Sequence, residues 1–225
     1  MTQTIVEPTR FSRTDLEYLK DVSPYGVEAA IIYMMLQEVP KTYIPGKKVL
    51  AMSIGPGNLT KEGKLIRDFH RLSRGIVGEN ITVLSCDTYS RIIDQPEDRF
   101  DFEIRGPDRG DANTHIPWLR GLAIAEEKKT SYDHIHISNP DFSLQFKTWK
   151  SIFEMALYYL SDQGIITSIS LRPTDRGHLK NLCSHLIQKG LSETTICRRY
   201  KYFFDERNYF DYSIAVIQRK ITSNP

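Results

Sequence analysis

Three observations predict an α/β fold. Strand-like and helix-like segments alternate along most of the chain, the last two strand-like segments have no helix between them, and the first strand-like segment ends in a glycine turn that leads into a helical one. Alternation of this kind calls for a mostly parallel sheet covered by helices on both faces. About seven strands are expected, with an antiparallel strand at the C-terminal end. At 225 residues the chain reads as one domain, residues 1–225, in which 1–45 form a helical lead-in.

Each element has its own local reason. Residues 13–22 suit a short helix, and Pro24 sits near the start of a second. There Ala29, Ile32, Tyr33, Leu36 and Val39 share one apolar face, until Pro40, Pro45 and Gly46 end it. Lys48–Ile54 is strand-like, and from Thr60 to about Gly75 the residues Leu65, Phe69 and Leu72 recur at helical spacing. Ile81–Ser85 is a second strand, ending at Cys86 and Asp87. Residues 88–115 look irregular, with the run RGPDRGDAN and one short strand at Phe100–Ile104; Trp118–Glu127 follows as a helix. In the strand around 132–140, Ile135 and Ile137 fall on one face and His134 and His136 on the other. Phe146, Trp149, Phe153, Leu157 and Leu160 describe an amphipathic helix, with Trp149 and Phe153 as core residues. Ile165–Leu171 is a strand, His178–Lys189 a helix closed by Gly190, and Thr194–Phe203 and Tyr212–Arg219 are the last two strands. Their linker is too short for a crossover, so they should pair antiparallel.

Composition narrows the functional classes. A net charge of +2 makes no chain-wide electrostatic case for nucleic acid, although a local basic patch stays open. Cys86, Cys183 and Cys197 form neither a CxxC pair nor a disulfide framework, which favours a reducing, cytoplasmic setting. No stretch approaches the roughly 20 apolar residues of a membrane span, and the N-terminus is too polar for a secretory signal. His115, His134, His136 and His178 come with no zinc signature, so no metal is expected.

Four loops carry ligand chemistry at the carboxyl ends of the predicted strands, where ligands bind in open α/β sheets. In SIGPG, Ser53, Gly55 and Gly57 form a turn whose backbone N–H groups suit a carboxylate or phosphate. Asp87, at the tip of the second strand, suits the two hydroxyls of a ribose. It lies thirty residues after Gly57, beyond the roughly 20 of dinucleotide folds. Asp111 suits the exocyclic amine of a base, with Asp108 as a competitor. In NPDF, the Asn139 carbonyl suits a substrate amine, Asp141 a positive group or a proton, and Phe142 a planar partner or pocket wall.

Together these stretches resemble the class I S-adenosylmethionine-dependent methyltransferases, over about residues 25–220. VLAMSIGPG resembles the first motif of that family, with Gly55 and Gly57 at two motif glycines; VLSCD places Asp87 at the ribose-binding acid; GDA places Asp111 at the adenine contact. SNPDF resembles the N-P-P-F/Y loop of amino-methyltransferases, and FFDERNYFDYSIAVIQRK resembles the terminal hairpin, whose last strand runs antiparallel beside the sixth. Ala51 stands where the family often has an acid, Ser53 replaces the first glycine and Asp141 the second proline. The resemblance implies a Rossmann-like fold, S-adenosyl-L-methionine as cofactor, and methyl transfer to an undetermined acceptor, a nitrogen of a small molecule, RNA or protein. It assigns Ser53, Gly55, Gly57, Asp87 and Asp111 to the cofactor and Asn139, Asp141 and Phe142 to the acceptor side. A methyltransferase-like module without activity and a nucleotide-cofactor oxidoreductase are the alternatives. The oxidoreductase lacks the third glycine of GxGxxG, and a hydrolase lacks a GxSxG elbow.

Overall fold

The computed structural model describes residues 31–32, 35–36, 38–39, 43–55, 59–87, 103–109, 131–170, 174–203 and 209–219. Its elements in chain order are β1 (Val49–Ile54), α1 (Leu59–Arg74), β2 (Ile81–Asp87), β3 (Glu103–Arg109), β4 (Tyr132–Ser138), α2 (Phe142–Tyr158), β5 (Leu160–Ser170), α3 (Asp175–Gln188), β6 (Ser192–Phe203) and β7 (Tyr209–Arg219). The strands form one sheet in the order β3-β2-β1-β4-β5-β7-β6. Strands β3, β2, β1, β4 and β5 are mutually parallel, while β7 runs antiparallel to both β5 and β6. A mostly parallel sheet with an antiparallel C-terminal pair is thus the class that the alternation predicts.

Helices cover both faces. On one side Val49, Ala51, Ile81, Val83, Ile165 and Ile169 meet Leu65, Ile66 and Phe69 of α1, together with Ile32, Met35 and Leu36 from the helical residues that precede β1. On the other side Met52, Ile54, Ile135, Ile137 and Ile166 meet Trp149 and Phe153 of α2 and Leu179, Leu182 and Leu186 of α3. The period of two in each strand makes both layers at once. Among the described residues no helix is long and apolar enough to cross a membrane.

The structure corrects the sequence reading in three places. Residues 105–109, read as an irregular run, are strand: β3 spans Glu103–Arg109, while residues 100–102 of the strand expected at Phe100–Ile104 lie outside the described residues. Leu84 pairs with Arg105 but Cys86 with Asp108, so β3 carries one extra residue around Gly106–Pro107. β3 is an outer strand, and a proline without an N–H is tolerated at a bulge there. Leu160, read as the last apolar position of a helix, begins β5 and pairs with Tyr132. His134 and His136 do share a face, but it is a wholly buried one. The helix expected at 118–127 lies outside the described residues, as do Ala29 and Tyr33 of the lead-in.

Candidate functional site

The chain leaves β1 toward β2 and β3 on one side, then returns to place β4 on the other. A reversal of strand order opens a crevice beyond the carboxyl ends of the two central strands, here β1 and β4. Register fixes what stands there. Ile54 pairs with Cys86 of β2 and with Ile137 of β4. Asp87, Gly55 and Ser138–Asn139 therefore succeed one another along a single edge of the sheet.

Local backbone conformation marks the same edge. Gly55 leaves β1 at φ +67°, a left-handed conformation that glycine adopts without a Cβ penalty. Asn139 follows β4 at φ +46°, and asparagine is among the few other residues that tolerate this region. The Asn139 N–H donates to the Ile169 carbonyl at 2.8 Å, extending the β4–β5 ladder by one step, and the Phe142 N–H donates to Pro140 O at 3.0 Å. Asn139 is exposed and Asp141 half-buried. Phe142 is wholly buried, with its ring 6.2–6.4 Å from Phe146, Trp149 and Phe153. It anchors the loop in the core and offers no ring face to a ligand. Asp87 is the last residue of β2. Gly57 and Asp111 lie outside the described residues, and Asp108 sits within β3.

Behind this edge, on the α1 side, runs a line of polar groups. Ser53, His134, His136 and Thr167 are all fully buried, and register places Ser53 beside His136 and His136 beside Thr167. His70 of α1 closes the line, its Nε2 lying 3.2 Å from His134 Nδ1. Thr167 Oγ1 lies 2.7 Å from His134 Nε2 and 2.8 Å from His136 Nδ1. His136 Nε2 in turn lies 3.1 Å from Ser138 Oγ, and Ser138 donates to Glu62 Oε1 at 2.8 Å. Burial holds His70 and His134 well below the ordinary histidine value, and the Arg74 guanidinium pushes both in the same direction, so both are neutral at pH 7. Among the described residues no group of three or more His, Cys, Asp or Glu is arranged to hold a metal ion.

No family model matches the sequence, and no curated protein matches it. Solved structures match along most of the chain at low identity. The precorrin-6y C5,15-methyltransferase of Geobacter metallireducens GS-15 is 11% identical with a TM-score of 0.48, over 86% of this chain and 88% of that one. The N-methyltransferase NodS of Bradyrhizobium japonicum WM9 is 12% identical with a TM-score of 0.47, over 93% and 99%. The precorrin 8w decarboxylase of Methanobacterium thermoautotrophicum is 15% identical with a TM-score of 0.48, over 88% and 92%.

Sequence reasoning missed Glu62, Ser138 and the depth of the histidines. The signal for Glu62 was its place in the first turn of the helix after the glycine turn. The signal for the histidines was the alternation HIHIS, which puts Ser138 on the histidine face.

Proposed function

We propose that this protein is an S-adenosylmethionine-dependent methyltransferase. One observation carries the reading: Gly55, Asp87 and Asn139 stand on one sheet edge, at the point where strand order reverses. The antiparallel β7 beside β6 is the ending that the family resemblance implies.

The residues present fit an adenosyl ligand. A positive φ at Gly55 brings backbone close to whatever lies over β1, and Ser53 Oγ beneath it is buried without a hydrogen-bond partner. Ser53, Gly55 and Gly57 hold the methionine part, Asp87 the ribose hydroxyls and Asp111 the base. When bound, S-adenosylmethionine supplies an electrophilic sulfonium methyl group. The protein's share is to align a nucleophile, exclude water and take up a proton. Asn139, fixed by its backbone bond to Ile169, orients a nitrogen acceptor through its side-chain carbonyl. Asp141, half-buried beside it, receives the proton or a positive charge on the acceptor, and Phe142 keeps both in place from the core.

Calorimetric titration with S-adenosylmethionine or S-adenosylhomocysteine tests the reading. Binding with thermal stabilisation is expected, and Asp87→Ala should weaken it by about 1.5–3 kcal/mol through loss of charge-assisted bonds. No heat and no stabilisation from either compound would overturn it. Transfer of a labelled methyl group to an acceptor then separates an enzyme from a binding module.

A further inference from the structure

Hydrogen counting gives the buried polar line a direction. Ser138 uses its one hydroxyl hydrogen on Glu62 Oε1, so the hydrogen between Ser138 Oγ and His136 Nε2 belongs to the imidazole. His136 then accepts at Nδ1, and the donor is the Thr167 hydroxyl. With that hydrogen used, His134 Nε2 donates to Thr167, and His134 Nδ1 accepts from His70 Nε2. His70 Nδ1 is left as a bare acceptor with no partner. The opposite polarity would bury an unpaired N–H at His70, the rarer and costlier orphan. Every donor in the line therefore faces Glu62, which accepts at its end.

Glu62 stands at the crevice. It lies in the first turn of α1, its side chain is 17% exposed, and it is tied to the last residue of β4. Its second oxygen, Oε2, is buried and accepts no hydrogen bond, although His136 Nε2 lies 3.0 Å away. That nitrogen has a single hydrogen, and it is directed at Ser138. Beside His136 in register, Ser53 Oγ is also buried and unpaired. A carboxylate that accepts from Ser138 on one oxygen and accepts no hydrogen bond on the other suits a positively charged partner.

We propose that Glu62 receives a cationic group of the ligand bound in the β1–β4 crevice, and that His136, Thr167, His134 and His70 are positioning residues that hold it there. This rests on the reading of that ligand as S-adenosylmethionine, whose ammonium and sulfonium are both cationic. Three compounds separate them: S-adenosylmethionine carries both groups, S-adenosylhomocysteine only the ammonium, and 5′-methylthioadenosine neither.

Affinities of the full chain and of Glu62→Gln for all three are measured by calorimetry, with circular dichroism to show that the variant is folded. Glu62→Gln should lower affinity for S-adenosylmethionine about tenfold or more and leave methylthioadenosine within about twofold. An equal loss for S-adenosylhomocysteine assigns the ammonium; an unchanged value assigns the sulfonium. Thr167→Val should shrink the preference for S-adenosylmethionine over methylthioadenosine, and Thr167→Ser should restore it. A folded Glu62→Gln that binds S-adenosylmethionine like the parent, or loses methylthioadenosine equally, overturns the proposal while the methyltransferase reading stands. A parent protein that binds none of the three overturns both. Full preference in Thr167→Val removes the positioning role.

Discussion

Strand β4 faces two different interiors. Ile135 and Ile137 enter an apolar layer beneath α2 and α3, whereas His134 and His136 enter a layer beneath α1 where imidazoles and hydroxyls pair with one another. The first is held together by area removed from water and tolerates any partner of the right volume. The second depends on every member being present, because a buried polar group that loses its partner costs more than the bond contributed. Both faces of the sheet thus carry an apolar core, but on the α1 side β4 sets a polar line within it that orders the groups leading to the crevice.

The largest effect should come from the apolar side. Ile137→Ala leaves a cavity among fully buried neighbours and should cost about 2–5 kcal/mol in a denaturant melt. A loss below about 1 kcal/mol would mean that the layer collapses around the gap, and the contrast between the faces would weaken.

Acid should act on the histidine side. His70 and His134 titrate below the ordinary 6.5 in the folded chain, so the unfolded chain binds more protons as pH falls through that value. Their stabilising contribution is complete above about 6.5 and is lost below it, at a limiting slope of about 1.4 kcal/mol per pH unit for each histidine. Melting temperature followed from pH 7.5 down to pH 5 (roughly the span over which free imidazole titrates) should fall, and His70→Leu should flatten the curve. An unchanged pH profile in that variant would show that other groups set the slope.

The smallest of the three is Thr167→Val. It keeps volume but leaves His134 Nε2 without an acceptor and His136 Nδ1 without a donor, for about 1–3 kcal/mol of stability. Serine at this position should recover most of it. A neutral Thr167→Val would show that the two imidazoles find other partners.

Strands and helices set by short-range pattern were legible in the sequence. β1, β2, β4, α1 and α3 follow the periods of two and 3.6, and the antiparallel end follows from the missing crossover helix. Where pattern and tertiary pairing compete, the reading failed. Leu160 continues the helical spacing of Leu157, yet pairing with Tyr132 draws it into β5. Gly106 and Pro107 signal a loop by residue type, but an outer strand lends them one neighbour and requires fewer N–H donors. For the site, a meeting of Gly55, Asp87 and Asn139 at the carboxyl ends of the strands was expected, and their strand ends do share one edge. The histidine line was not, because its partners lie 64 and 33 residues away from His134 and no local period reports them. Glu62 was hidden for the same reason, 76 residues from Ser138.

The bulge of β3 has a consequence for how copies of this protein meet. An uninterrupted border strand offers a row of free amide and carbonyl groups on which a foreign strand can grow. Pro107 has no amide hydrogen to offer, and the extra residue beside it throws the register of β3 out of step. A border with a missing amide hydrogen and a shifted count is a poorer template for fibril-like stacking.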